Sequence, residues 1–128
     1  MKRSIQPSGG RPVPAFSQAV LVGNTLYVSG QIAVDGNGDL VGRDDAAGQA
    51  EQCFANLEVV LAAAGMSMAD VVKLTCFMVD AGDYPAYAEA KRRHCSGNAP
   101  AGTGVIVTAL LVPGARFEVE AVAVKDDA

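Results

Sequence analysis

The sequence predicts an α+β fold in which two helices cover one face of a mixed β-sheet. Near both ends and in the middle of the chain, residues alternate between the two faces of a strand with a period of two. Two further segments repeat apolar residues at helical spacing. The predicted order is strand, strand, helix, strand, helix, strand, strand. The 128 residues fit one domain, 1–128, and contain no repeat, low-complexity tract or linker.

The N-terminal residues are predicted to form a loose arm followed by a hairpin. Residues 1–15 hold three prolines and two glycines, so we expect an arm with a short strand near residues 4–6. A strand pattern runs over 16–22, and the pair Gly23-Asn24 suits a tight turn. The partner strand is predicted over 25–30.

A long helix is predicted over residues 46–64. Either Asp44 or Asp45 can serve as its N-cap, and Gly65 is a natural residue to follow its last turn. The helix has one apolar stripe at positions i, i+4, i+7, i+8 and i+11. The residues of this stripe are Cys53, Leu57, Val60, Leu61 and Ala64.

The second half of the chain is predicted to contain three strands and a shorter helix. The segment Ser67-Met68-Ala69-Asp70 resembles a capping box and begins a short turn. Residues 71–79 are predicted to form a strand with Val72, Leu74, Cys76 and Met78 on one face, and because both of its faces are largely apolar it should be a central strand. Asp83 is predicted to cap a helix over 84–94. The remaining predicted segments are a loop over 96–103, a strand over 104–111, a turn at Pro113-Gly114 and a strand over 117–124.

The composition points to a partner for this domain. Half of the residues are hydrophobic and the mean hydropathy is +0.22, which is high for a lone soluble domain. An Ala- and Val-rich core is the simpler explanation. However, helices on one face of a sheet leave the other face uncovered, which also favours oligomerisation.

Charge and cysteine usage exclude several classes of function. A net charge of −4 disfavours a nucleic-acid groove, and the short basic run 91–94 reads most simply as a solvated helix end. Three separated cysteines without a secretory leader indicate reduced thiols in the cytoplasm. No run of residues is long and apolar enough to cross a membrane, and no residues have metal-ligand spacing, so neither a membrane nor a metal is expected.

Several segments, taken together, resemble one family. They are Phe16-Ser17-Gln18-Ala19-Val20, Gly23-Asn24, Tyr27-Val28-Ser29-Gly30-Gln31-Ile32, Asn56-Leu57, Leu61-Ala62-Ala63-Ala64-Gly65, Asp70-Val71-Val72-Lys73, Pro100-Ala101 and Glu118-Val119-Glu120-Ala121-Val122-Ala123. Their order and spacing over residues 15–125 resemble the RidA/YjgF family, also labelled endoribonuclease L-PSP or translation inhibitor. The resemblance implies a chorismate-mutase-like fold and a homotrimer whose sheets form a central barrel, with clefts between subunits.

The resemblance also implies an activity and a substrate class. It implies hydrolysis of small reactive enamines or imines, such as 2-aminoacrylate, to ketoacids and ammonia without a cofactor. In that chemistry an arginine pairs with the substrate carboxylate and a glutamate handles water or protons, a role that falls on Glu118. The family's arginine follows Pro-Ala, and here Gly102 occupies that position. Losing such a charge-assisted pair argues against standard 2-aminoacrylate deaminase activity. Phe16 likewise stands where the family often has tyrosine.

The residues that could carry chemistry each have a simpler explanation. Glu118 and Glu120 share one strand face, where repulsion can raise a pKa, or they form an ordinary solvated face. Ser29 and Gly30 could line a cleft or only end a strand. Arg116 could replace the missing arginine or form a surface ion pair.

Two further groups of residues could carry chemistry. The segment Gly102-Thr103-Gly104 could offer backbone amides to an anion and room for a bulkier substrate, or its glycines could simply ease a loop. Cys95 beside His94 could be read as a nucleophile with its base, but sequence neighbours at a helix end point apart, so this reading is disfavoured.

Three functions follow from this reading. The first is a divergent hydrolase, in which Glu118 handles water and the backbone near Gly102 orients a small metabolite. The second is a non-catalytic trimer that binds or senses a metabolite or acts as a chaperone, which the missing arginine favours. The third, a ribonuclease or translation inhibitor, is disfavoured by the acidic charge.

Overall fold

The structure, a computed structural model, describes residues 2–7 and 14–126. Within them the chain forms one six-stranded sheet and two α-helices. The strands are β1 (Lys2–Ile5), β2 (Ala19–Val22), β3 (Thr25–Gln31), β4 (Val71–Met78), β5 (Ala101–Ile106) and β6 (Phe117–Val124), and the helices are α1 (Ala46–Ala63) and α2 (Tyr84–His94). This confirms the predicted α+β class.

The sheet is mixed and has the strand order β1-β2-β3-β6-β4-β5. The β4–β5 pair is parallel, and the other neighbouring pairs are antiparallel. The order makes β4 and β6 central and leaves β1 and β5 at the two edges. β4 is therefore an inner strand, as its two apolar faces predicted.

Both helices pack on the same face of the sheet, as predicted, and the core lies between the two layers. The strand residues of this helix-covered face include Leu26, Val28, Leu74, Cys76, Phe117, Val119 and Ala121, and the helices contribute Phe54, Leu57, Leu61, Tyr87 and Ala90. The opposite, helix-free face carries Tyr27, Thr75, Phe77, Glu118, Glu120 and Val122, which are exposed or half-buried. Among the described residues, no helix covers that second face.

Local signals in the sequence fix most of the element ends. The Asp45 side chain caps α1 and accepts a hydrogen bond from the backbone N–H of Gly48 at 3.0 Å. Gly65 ends the helix with a φ of +72°, a conformation that glycine adopts at low cost. Ser67 and Asp70 form the predicted capping box. These contacts are short-range, so the sequence was sufficient to predict them.

The N-terminal region differs from its prediction. The strand spans Lys2–Ile5 rather than residues 4–6, and it pairs with β2, so this part of the chain is not a loose arm. Burial of Ile5 against the core favours the pairing. The strand predicted over 16–22 begins at Ala19, after a turn in which Ala15 has a φ of +61°. Residues 1 and 8–13 of the predicted arm lie outside the described residues.

The fifth strand also differs from its prediction. We expected a loop over 96–103 and a strand over 104–111, but β5 spans Ala101–Ile106 in parallel register with β4. Pairing with the edge of β4 satisfies the backbone of these small residues despite their weak strand propensity. The predicted flexible loop at Gly102 is therefore part of a strand.

Two smaller predictions fail because distant contacts override local ones. Val72 is exposed rather than aligned with Leu74, because a register shift between Val71 and Lys73 places Val71 in the core. Asp83 precedes α2 without a side-chain capping bond.

Candidate functional site

The carboxyl group of Glu118 lies on the helix-free face of the sheet. Glu118 and Glu120 share that face, and Phe77 of β4 lies opposite Glu118 in the register. Glu118 is partly buried, and this desolvation, followed by the negative charge of Glu120, raises its pKa. A carboxyl group whose pKa is raised holds a proton more readily than an exposed glutamate does, which suits a group that takes up a proton and returns it.

Gly30 provides the space that the Glu118 side chain occupies. The carboxyl group of Glu118 crosses from β6 to β3 and lies directly against the α-carbon of Gly30. A Cβ atom at residue 30 would collide with this carboxyl group. The structure thus brings together two residues that the sequence had placed in one site.

Ser29 precedes Gly30 on β3 and bonds the segment that follows Phe16. The Ser29 hydroxyl donates to the backbone carbonyl of Ser17 at 2.7 Å, and the Ser29 backbone N–H donates to the carbonyl of Gln18 at 2.9 Å. Its hydroxyl proton is therefore occupied, although the oxygen can still accept a hydrogen bond. The Phe16 side chain is 46 % exposed and could contact a ligand or a neighbouring chain.

The three residues Gly102, Thr103 and Gly104 lie on β5, an edge strand that is exposed along its whole length. Thr103 is on the helix-free face, where its hydroxyl accepts a hydrogen bond from Lys73 at 2.6 Å. Gly102 and Gly104 point to the helix-covered side, because they pair with the buried residues Leu74 and Cys76. The amides of these residues therefore belong to a strand rather than a loop, and because β5 pairs only with β4, one side of its backbone faces away from the sheet.

The ammonium group of Lys91 fills the space that a side chain at position 102 would take. A Cβ atom built on Gly102 would lie 2.7 Å from the Nζ atom of Lys91. Lys91 projects from α2, and its place in the basic run 91–94 had indicated only a solvated helix end. No local signal could have revealed this contact, since it depends on how α2 packs beside β5.

Arg116 is held by two acidic residues rather than by Glu118. Its guanidinium donates to the carboxylate of Asp83 at 3.0 Å and lies 3.7 Å from that of Asp44. This placement fits the ion-pair explanation. Arg116 also borders a cavity of about 380 Å³, whose other lining residues are Asp44, Val79, Asp80, Thr108, Ala109, Leu110, Val112, Pro113, Gly114 and Ala115.

Cys95 and His94 do not form a nucleophile–base pair. Both ring nitrogens of His94 contact carboxylates of α1, those of Glu51 and Glu58. Burial raises the pKa of the Cys95 thiol, which disfavours the reactive thiolate. Within residues 2–7 and 14–126, no three His, Cys, Asp or Glu side chains group closely enough to hold a metal ion.

Glu118 and the Lys91–Gly102 pair lie on opposite faces of the same sheet. Glu118 lies on the helix-free face. Gly102 faces α2, and the ammonium group of Lys91 lies next to it. One chain therefore cannot present both groups to a single small ligand from the same face.

Comparisons with known proteins define the class. The family model for Endoribonuclease L-PSP matches residues 9–125, so the chain belongs to this family, which is also called RidA/YjgF. A rat 2-iminobutanoate/2-iminopropanoate deaminase is 40% identical over 113 residues, which cover 88% of this chain and 82% of the relative. The human deaminase of the same name is 37% identical over 110 residues, with 86% and 80% covered.

Solved structures agree with this assignment. The structure of RidA from the Antarctic bacterium Psychrobacter superposes with a TM-score of 0.87 at 36% identity, and the match covers 96% of this chain and 99% of that one. The predicted family and fold are thereby confirmed. Within the part of the chain that the structure describes, no helix has both the length and the apolarity to cross a bilayer.

Proposed function

We propose that this protein hydrolyses small 2-imino acids to 2-keto acids and ammonia. The observation that carries the proposal is the partly buried Glu118 carboxyl group with a raised pKa, in contact with Gly30. The names of relatives at 36–40% identity supply the substrate class, 2-iminobutanoate and 2-iminopropanoate. Imine hydrolysis needs a carboxyl group that takes a proton from water and gives it back, and the proposed reaction uses no cofactor.

The reaction balances with one water molecule and one shuttling carboxyl group. Glu118 takes a proton from water as the water oxygen bonds to the imine carbon, and it returns that proton to the imine nitrogen to give a carbinolamine. Glu118 then assists transfer of the hydroxyl proton to nitrogen, the carbon–nitrogen bond breaks, and ammonia leaves. The carbonyl of the keto acid forms in the same step.

We also propose that the working form is a homotrimer with its site in a cleft between subunits. The uncovered helix-free face, with Tyr27 and Val122 among its apolar residues, offers a surface for association. The opposite orientation of Glu118 and Gly102 supports a site shared by two chains. The expected ligand is a small metabolite, with neither nucleic acid nor membrane as partner, and the expected location remains the cytoplasm.

The test is ammonia and keto-acid release from 2-iminopropanoate and 2-iminobutanoate generated in the assay. We expect the wild-type protein to accelerate release and Glu118→Gln to lose at least about a hundredfold of kcat, because the amide cannot shuttle a proton. Glu89→Gln is the matched control, since Glu89 is an exposed acid on α2 that contacts Arg92. Equal rates for wild type and Glu118→Gln would contradict the proposal.

A second function, metabolite binding without chemistry, is favoured by one observation. The family resemblance implies an arginine after Pro100-Ala101, and Gly102 follows them here, so the site would lack that cation for a substrate carboxylate. In that case keto or amino acids raise the melting temperature of the protein without any turnover. Ribonuclease activity, which the family's label names, is tested in the same preparation with RNA as substrate, and we expect none.

A further inference from the structure

We propose that the ammonium group of Lys91 binds the carboxylate of the ligand at the edge of strand β5. Lys91 would thereby set the preference of this site for 2-imino and 2-keto acids over uncharged imines and ketones. The assignment of a carboxylate-bearing ligand rests on the function proposed above. The location of the cation rests on contacts within this chain.

The position of Lys91 depends on the absence of a side chain at residue 102. The Nζ atom lies 2.7 Å from where a Cβ atom of Gly102 would be, so any larger residue there would displace the ammonium group. Lys91 itself is half-buried on α2. Gly102 and the rest of β5 are exposed, so an anion can reach this point from solvent.

The charge of Lys91 is not neutralised by any described neighbour. The other basic residues at the end of α2 are paired: Arg92 with Glu89, Arg93 with Glu51 and Glu89, and His94 with Glu51 and Glu58. Within the described ranges Lys91 forms neither an ion pair nor a side-chain hydrogen bond. In a chain of net charge −4, an unpaired and half-buried cation is well placed to attract a small anion.

The surroundings of Lys91 favour a carboxylate rather than an internal partner. Cys76 and Cys95 are its titratable neighbours, and burial raises the pKa of both thiols while the positive charge of Lys91 opposes the rise. The thiols are therefore neutral and leave the ammonium charge available. A carboxylate next to Lys91 gains a charge-assisted hydrogen bond, which neither an amide nor a ketone can match.

The test measures binding of 2-oxobutanoate, the stable product of 2-iminobutanoate hydrolysis, by isothermal titration of the full chain. We expect Lys91→Met to weaken binding about ten- to a hundredfold and Lys91→Arg to retain it within a few-fold. Arg92→Met is the matched control, because it removes the same charge from the same helix at an exposed position, and we expect no change. The uncharged analogue 2-oxobutanamide should bind weakly and equally to wild type and Lys91→Met.

A second measurement separates this inference from the proposed function. Loss of Lys91 should raise the KM for 2-iminobutanoate more than it lowers kcat, whereas loss of Glu118 should act mainly on kcat. If the wild-type protein binds 2-oxobutanoate but releases no ammonia, the proposed hydrolysis is wrong. The role of Lys91 is then still decided by comparing the affinities of wild type and Lys91→Met for 2-oxobutanoate. If Lys91→Met binds as tightly as wild type, or if the wild type does not bind 2-oxobutanoate, the role of Lys91 is overturned.

Discussion

At the scale of single residues, the position of the Glu118 carboxyl group depends on residue 30 being glycine. The carboxyl group lies against the α-carbon of Gly30, in space that any other residue would occupy with its Cβ atom. The far end of a glutamate side chain can move at little cost to the fold. A change at residue 30 should therefore act on the direction of the carboxyl group rather than on stability.

We expect Gly30→Ala to lower kcat for 2-iminobutanoate by about ten- to a hundredfold, because displacing a reacting group by about 1 Å costs that much. The melting temperature should change by only a few degrees. Gly36→Ala is the matched control, since a Cβ atom at residue 36 meets nothing within 4 Å. Steady-state kinetics and thermal melts of both variants check this, and wild-type kcat in Gly30→Ala would contradict it.

The sequence predicted the residues at this site better than it predicted their contacts. Glu118 and Glu120 share a face because strand geometry requires it, so their proximity could be predicted. The contact of Lys91 with Gly102 could not, because it joins a helix and a strand whose packing has no local signal. Arg116 looked available in sequence, and only the fold shows that Asp83 holds it.

At the scale of elements, helices α1 and α2 are joined by one histidine between two acids. His94 of α2 contacts Glu51 and Glu58 of α1, and its ring stacks on Phe54 with centroids 5.1 Å apart. Burial alone would lower the pKa of His94, but the hydrogen bonds to the two carboxylates outweigh it and raise the pKa. The protonated imidazole is therefore the form that the folded state favours.

This contact makes stability depend on pH. The pKa of His94 is higher in the folded state than in the unfolded chain. The stability that His94 contributes is therefore fully present below the ordinary histidine pKa of about 6.5, and it is lost as the pH rises through the pKa of the folded state. We expect His94→Gln to destabilise the protein by about 1 kcal/mol at pH 6 and by less at pH 8.5, since both acids are half-exposed.

Denaturant unfolding at the two pH values measures the difference. Arg92→Gln is the control, because it removes an exposed cation of the same helix and should show no such pH dependence. A loss of stability that is the same at both pH values would show that His94 acts only through its packing on Phe54.

The elements also show which parts of the fold are encoded locally. Helix α1 begins at the predicted residue 46 and ends one residue short of the predicted 64, because Asp45 and Gly65 act within one turn. Strand β5 begins three residues and ends five residues before its predicted bounds, because these are set by pairing with β4, more than twenty residues earlier in the chain. Buried Gln49 was also missed; it bonds the backbone at Gly42, Gly114 and Arg116 and so ties the loop before α1 to the loop before β6.

At the scale of the whole molecule, the two proposed parts of the site face away from each other. Glu118 lies on the helix-free face and Lys91 lies beside the helix-covered face, so we expect each cleft to take Glu118 from one chain and Lys91 from the next. Within a closed symmetric oligomer, every chain then contributes to two clefts.

This arrangement predicts complementation between two damaged chains. The Glu118→Gln and Lys91→Met variants should each be weakly active alone. When they are unfolded together and refolded as a 1:1 mixture, we expect about a quarter of wild-type activity. Random assembly leaves about that share of clefts with both native groups. Ammonia release from the mixture, compared with each variant refolded alone, measures the gain, and light scattering reports the assembly. Activity no higher than the average of the two variants would mean that one chain supplies both groups.

Because Glu118 and Lys91 lie on opposite sides of the sheet, the activity of the protein should also depend on its concentration. If each chain supplies half of two active centres, a dissociated chain contains no complete active centre. Below the concentration at which subunits part, turnover per molecule would then drop while each chain keeps its fold. The association constant, rather than the melting temperature, would set the lowest concentration at which this protein works.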